Sequence, residues 1–294
     1  MILRARGHVF EFPRQPLVMG IVNLSADSFS GDGLADATAC LAHAQQLLSD
    51  GADIIDVGAE SARTNREPIS VQEEVDRLCG FVEHWIESGI EQPLSINTWR
   101  PEVAREVLAL GGDILNDIGA LPDDSNARIC AQTGAALLVM HSIGLPKVPH
   151  THVGYADVLE ALELFFEEKL ALVEAAGLPR EAVILDPGID FAKQTADNLR
   201  IYAHLERLNR FGRPVLLPVS RKTVIGNVLG ITDPAQRDAG TVACVVQGML
   251  RGAHIFRVHN VRATSAAVRT IGAVLGAAGG TENLPPHETY LLER

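Results

Sequence analysis

The chain has 294 residues, 47% of them hydrophobic and 21% charged, with a formal net charge of −12. That length supports one large domain or two small ones, and the acidity argues against nucleic acid or an anionic membrane as partner. A small anionic substrate is still allowed, because a site can be locally basic.

The start, M-I-L-R-A-R-G-H-V-F, lacks the apolar core and small-residue cleavage site of a signal peptide. No apolar run approaches the roughly 18–20 residues of a membrane span, so a cytoplasmic protein is expected. Residues 1–16, with G-H-V-F-E-F, are expected to form an N-terminal hairpin over one mouth of the main domain. From residue 17 a short apolar run, a polar or glycine-rich turn and an amphipathic helix recur down the chain. The runs are L-V-M-G-I-V-N (17–23), D-I-I-D-V-G (53–58), L-S-I-N (94–97) and D-I-L-N-D-I (113–118). They continue with A-L-L-V-M-H (136–141), A-V-I-L-D-P (182–187), P-V-L-L-P-V-S (214–220) and H-I-F-R-V-H (254–259). Apolar strands alternating with helices indicate a parallel sheet covered on its faces. Their number, in about 250 residues, matches a (β/α)8 TIM barrel. The single barrel domain is placed at 17–278, with 279–294 as a tail. An open doubly wound sheet is the alternative, but no G-x-G-x-x-G follows the first strand. Cys40, Cys79, Cys130 and Cys244 form no C-x-x-C pair and sit in helix-like stretches, which reads as reduced structural thiols.

In a barrel the C-terminal strand ends and the loops after them form the active face. Here those positions hold Asn23, Asp27, Asp56, Glu60, Arg63, Asn97, Asn116, Asp117, His141, Asp186, Lys193, Ser220, Arg221, Lys222, Arg257 and His259. One shared polar pocket is the economical explanation of so uniform a set. A carboxylate such as Asp186 can accept two parallel N–H bonds from a 2-amino-pyrimidinone edge, and Lys222 can meet a carbonyl on the same ring. Arg63, Arg257 and His259, with Asn23 as a metal ligand, suit a phosphate or pyrophosphate. His150 and His152, in an H-T-H loop beside prolines, read as loop residues and not as a metal pair.

Several of these contexts resemble dihydropteroate synthase. N-L-S-A-D-S-F-S-G-D-G (23–33) is similar to the family's N-V-T-P-D-S-F-S-D-G-G, and G-A-D-I-I-D-V-G-A-E-S-A-R (51–63) to its G-A-x-I-I-D-V-G-G-E-S-T-R-P-G. L-N-D-I, L-D-P-G-I-D-F-A-K, S-R-K-T-V-I-G and R-V-H follow in the family's order, so the match spans roughly residues 17–275. The resemblance implies a pterin-binding barrel that joins p-aminobenzoate to 7,8-dihydropterin-6-methyl pyrophosphate, releasing pyrophosphate with Mg2+. It assigns the pterin to Asp186, Asn116 and Lys222, with Met140 and Phe191 around it, and the metal to Asn23. Arg257 and His259 would hold the pyrophosphate, joined by Arg63, while Ser220 and the loops around Phe29, Ala62 and Arg63 would form the aminobenzoate side. A homodimer is implied as well.

Asn97 stands where the family has a pterin-contacting aspartate. The amide keeps an acceptor oxygen but adds donors and loses a charge that could stabilise a cationic pterin. Ala62, Thr64 and Asn65 depart from S-T-R-P-G, and Asp190 and Ala192 replace glycines. Changes on the aminobenzoate side imply altered sulfonamide sensitivity, since these drugs mimic aminobenzoate. Two alternatives follow. A pterin-dependent methyltransferase shares the Asp/Asn grip but needs no anion site from S-R-K, R-V-H and the Asn23 loop. A pterin-binding protein without turnover would have Asn97 as its inactivating change.

Overall fold

The computed structural model describes residues 1–24, 33–60, 67–144, 146–148 and 153–278, with the side chains of 33–36 and 277–278 set aside. Phe29, Ala62, Arg63, Thr64, Asn65, His150, His152 and the tail therefore lie outside the described residues.

Strands β1 (Ile2–Ala5) and β2 (His8–Glu11) pair antiparallel, with Ile2 opposite Glu11. The barrel strands are β3 (Leu17–Asn23), β4 (Ile54–Gly58), β5 (Leu94–Asn97), β6 (Ile114–Asp117), β7 (Ala136–Met140), β8 (Val183–Asp186), β9 (Leu216–Pro218) and β10 (Ile255–Val258). They run parallel in the order β8-β7-β6-β5-β4-β3-β10-β9. A bridge between Leu185 and Val215, with Leu185 N–H on the Pro214 carbonyl at 2.9 Å, joins β8 to the segment entering β9 and closes the ring. Nearly every strand side chain is buried, because the barrel interior covers one face and helices cover the other.

The helices are α1 (Gly33–Ser49), α2 (Val71–Glu87), α3 (Pro101–Leu110), α4 (Ser125–Thr133), α5 (Val158–Ala175), α6 (Thr195–Ala203), α7 (Thr223–Leu229), α8 (Asp238–Leu250) and α9 (Val261–Ala278). Their starts follow from local chemistry. The Ser70 hydroxyl accepts the Glu73 N–H before α2, Pro101 occupies the first turn of α3, and the Asp157 carboxylate accepts the Leu159 N–H before α5. One unit departs from the simple alternation: α7 and α8 both lie between β9 and β10. The four cysteines form no disulfide and lie in α1, α2, α4 and α8, with Cys40 and Cys130 fully buried. Among the described residues no helix is long and apolar enough to cross a membrane.

A repeated device sets the strands at the N-terminal end. In G-A-D-I (51–54), G-G-D-I (111–114) and G-A-H-I (252–255) the third residue precedes a strand and accepts a neighbouring strand's backbone N–H. Asp53 accepts from Val18 and Asp113 from Leu94, each at 2.8 Å, and His254 Nδ1 accepts from Val215 at 3.1 Å. These bonds satisfy donors that the barrel ladder leaves open at its rim. Burial holds His254 down to about 4, so its ring is neutral and able to accept. The β1–β2 hairpin covers the same end, with Leu3 and Ala5 buried and the Arg6 N–H on the Gly134 carbonyl at 2.8 Å.

Candidate active site

The polar residues at the C-terminal mouth do not all share one pocket, which corrects the expectation of a single set. Asp117 turns outward toward α4, where it accepts from Asn126 Nδ2 at 2.9 Å and from the Gly119 N–H at 2.7 Å. Arg221 is held in a two-point ion pair by Asp238, at 2.8 and 3.1 Å, which commits its Nε and Nη2 to that carboxylate. Its left-handed backbone, φ 56°, lies between Ser220 and Lys222. Glu60 pairs with Arg100 at 2.7 Å and Lys147 at 2.8 Å, bracing the loops after β4, β5 and β7.

Inside the mouth, Asp56 is the organising residue. It is fully buried on β4 and accepts from Ser95 Oγ at 2.6 Å, Asn116 Nδ2 at 3.1 Å and Arg257 Nε at 2.7 Å. These contacts orient Arg257 through Nε, and neither Nη atom has a hydrogen-bond partner among the described residues. They also fix the Asn116 amide so that its Oδ1 is buried without a partner. A buried acceptor left open is costly in an empty protein and points to a ligand donor. Asn97, 8% exposed, lies beside Asn116 in the β5–β6 register and next to Gly58 on β4. Its amide makes no hydrogen bond among the described residues.

The β8 loop brings the next group. Asp186 Oδ1 accepts the Gly188 N–H at 2.7 Å, and Met140 faces Asp186 in the β7–β8 register. Burial pushes the Asp186 carboxyl up to about 6, opposed by the Gly188 N–H and by the charges of Lys222, Lys193 and Arg257. Gly188 has φ 67°, and a Cβ there would stand 1.9 Å from the His141 carbonyl oxygen, so the D-P-G turn admits only glycine. Lys193 serves this turn structurally: its ammonium donates to the carbonyls of Gly188 at 2.9 Å and Phe191 at 3.0 Å, and meets His141 Nδ1 at 2.8 Å. Burial foremost, then Lys193, holds His141 down to about 3, so the ring is a neutral acceptor. Lys222 donates to the Ile189 carbonyl at 2.8 Å and lies 5.1 Å from the Phe191 ring centroid, a cation–π contact.

Ser220 and His259 form a pair across β9 and β10. Ser220 Oγ accepts the His259 backbone N–H at 3.1 Å and lies 2.8 Å from His259 Nδ1. The hydroxyl can accept that N–H and still donate its proton to Nδ1, an arrangement that carries the ring proton on Nε2. His259 stands exposed at the barrel mouth, and desolvation of its ring foremost, then the charges of Arg257, Arg221 and Lys222, lowers its affinity for a proton. In that tautomer the neutral His259 offers an Nε2–H to a ligand. Asn23 ends β3 with its side chain exposed. Among the described residues no group of three or more His, Cys, Asp or Glu side chains is placed to hold a metal. Asn23 supplies a hard amide oxygen, compatible with a magnesium ion that takes most of its oxygens from substrate and water.

Asp56 and Lys193 stand among the polar strand-end residues of the sequence, where neither shows its role. The clue was present for Asp56, a carboxylate within the buried run I-I-D-V. Asp190 and Ala192 hold φ 67° and 48°, in the left-handed region that favours glycine, the residue the resemblance implies at both positions. Ala192→Gly is expected to stabilise the protein by on the order of 1 kcal/mol, relief of the strain exceeding the added chain entropy of glycine. Thermal unfolding checks this, and a lower melting temperature would contradict it.

Comparison with known proteins gives a consistent picture. Residues 19–259 match the pterin binding enzyme family. The chain is 39% identical over 266 residues to a dihydropteroate synthase of Escherichia coli (strain K12), covering 89% of this chain and 93% of that one. It superposes with a TM-score of 0.85 and 36% identity on a Xanthomonas albilineans dihydropteroate synthase with 4-aminobenzoic acid, covering 93% of this chain and 98% of that one. The same enzyme in complex with 7,8-dihydropteroate gives a TM-score of 0.83 and 36% identity, covering 94% and 99%.

Proposed function

The chain belongs to the pterin binding enzyme family, and from that premise we propose how its own residues divide the chemistry of dihydropteroate synthesis. It condenses p-aminobenzoate with 7,8-dihydropterin-6-methyl pyrophosphate, giving dihydropteroate and pyrophosphate. The observation that carries this reading is one barrel mouth holding Asp186, Lys222 and an unsatisfied Asn116 acceptor beside the donors Arg257 and His259.

The ionised Asp186 accepts the paired N–H groups of the pterin's amino-pyrimidinone edge, Lys222 donates to its carbonyl, and Asn116 Oδ1 accepts a further ring N–H. Met140 and Phe191 enclose the ring. Arg257 and the neutral His259 donate to the pyrophosphate, joined by Arg63, and hold its growing charge as the C–O bond breaks. The arylamine nitrogen then forms the new C–N bond and releases its proton to water. The amine is already nucleophilic, so the site needs no activated side chain; catalysis rests on positioning and on the leaving charge. Asn97 offers its amide oxygen to the pterin. Asn23 would hold Mg2+, which neutralises pyrophosphate charge when bound.

Ser220 and the loops bearing Phe29, Ala62 and Arg63 form the aminobenzoate side in the same proposal. Ala62, Thr64 and Asn65 give it a weakened response to sulfonamides. A cytoplasmic homodimer completes it, supported by exposed Leu199, Val228, Leu229 and Leu250 on α6, α7 and α8. Incubation with both substrates is expected to yield dihydropteroate and pyrophosphate in equal amounts. Corrinoid-dependent methyl transfer without pyrophosphate release would overturn the reading.

A further inference from the structure

We propose that Asp190 is a positioning residue for Lys222, locking the lysine's ammonium at the pterin face by capping α7 from the neighbouring loop. The proposal rests on the functional reading above only for the identity of the ligand. Lys222 is the residue immediately before α7 and has no side-chain cap of its own there. Asp190 supplies one from the β8 loop: its carboxylate accepts the Thr223 N–H and, at 3.2 Å, the Val224 N–H. Both are free donors of the first helical turn. The carboxylate is itself held by Asn198 of α6, whose Nδ2 donates to Oδ1 at 3.2 Å while its Oδ1 accepts the Asp190 N–H at 2.9 Å. Asn198 is almost fully buried, so this support is rigid.

The consequence is a clamp from consecutive residues. The Ile189 carbonyl accepts from the Lys222 ammonium, Asp190 caps the helix that carries the lysine, and the Phe191 ring faces its charge. Glycine, which the resemblance implies at position 190, suits φ 67° at no steric cost but has no side chain to cap a helix. In this chain an aspartate accepts that backbone conformation and does additional work. Its charge matters too. Lys222 is half-buried, and the desolvation of its ammonium lowers its affinity for a proton; Asp190 and then Asp186 oppose that, while Arg257 adds to it. Lys193 and the neutral His259 are the other titratable neighbours.

The test compares Asp190→Gly, which relieves the backbone but removes cap and charge, with Asp190→Asn, which keeps an acceptor and removes only the charge. Calorimetry with dihydropterin pyrophosphate is expected to show about tenfold weaker binding for Asp190→Gly. The KM for p-aminobenzoate should stay within about twofold, as expected for a change confined to the pterin side. Asp190→Asn should bind near the parent at neutral pH. In both variants the alkaline limb of pterin binding should move to lower pH, because Lys222 loses its nearest counter-charge. In the ligand-free proteins, NMR of 13C-methylated lysine, with Lys222 assigned by its loss in Lys222→Arg, should show the same downward shift. That readout stands even if the pterin reading fails. Parental pterin affinity in Asp190→Gly, an unmoved Lys222 titration, or equal loss for both substrates would each overturn the assignment.

Discussion

Asp186→Asn is expected to bind dihydropterin pyrophosphate about a hundredfold more weakly or worse, in line with ~2–5 kcal/mol for a mismatched buried charged contact. The amide turns a double acceptor into one acceptor and one donor that faces the ligand's own N–H. The same substitution should stabilise the ligand-free protein. The folded Asp186 carboxyl titrates at about 6 against an ordinary 3.8, chiefly through burial. A raised carboxyl contributes stability below the unfolded value, and that contribution is lost as pH rises through about 6. At neutral pH the buried charge is a cost that asparagine lacks, on the order of 1–3 kcal/mol. The gain should therefore be present at pH above about 7 and vanish toward about pH 4, following the titration. Pterin affinity of the parent should also fall below about pH 6 as the carboxylate protonates, and that fall should be missing in the variant. Calorimetry and thermal unfolding across this range measure both effects. Equal pterin binding by parent and variant would remove Asp186 from the pterin site.

Asp56→Ala should be the most damaging change away from the ligands. It strands Arg257, Asn116 and Ser95 together, and removing one member of a buried ion pair costs about 3–5 kcal/mol. Arg257 retains a partly exposed side chain, so the low end, about 3 kcal/mol, is expected. Turnover should fall about a hundredfold or more, since an ångström of misplacement in a leaving-group donor has that effect. Asp56→Asn keeps an acceptor without the charge; it should fold yet turn over slowly. An Asp56→Ala protein with parental melting temperature and rate would show that Arg257 is oriented by something else.

The barrel was legible because its strands are short apolar runs that end on, or run directly into, a polar or turn residue. L-S-I-N and A-L-L-V-M-H carry that pattern plainly. The direction of each terminal side chain was not legible. Arg221 and Arg257 look equivalent in sequence, yet one is bound by Asp238 and the other aimed by Asp56. Neighbouring Asn116 and Asp117 point to opposite faces because successive residues in a strand alternate. Asp56 and Arg257 are 201 positions apart, and a single sequence has no signal that pairs them. Asp190 and Ala192 stood out only as missing glycines. Their left-handed backbone, and the cap Asp190 gives to α7, needed the three-dimensional path of the β8 loop.

Asn97 tests the whole account most directly, since the loss of a carboxylate there is the strongest sequence feature against turnover. The deciding measurement is single-turnover pyrophosphate release from dihydropterin pyrophosphate, with and without p-aminobenzoate, in the parent and in Asn97→Asp. Asp186, Asn116, Lys222, Arg257 and His259, the residues proposed to hold the pterin and the pyrophosphate, share one barrel mouth, so the parent should release pyrophosphate in an arylamine-dependent burst. Its rate should lie within about tenfold of the Asn97→Asp rate, less than the ~2.7–4 kcal/mol that a decisive charge contact in a dry site is worth. An almost silent parent, with a gain of about a hundredfold or more on restoring the carboxylate, would contradict the enzyme reading of this chain.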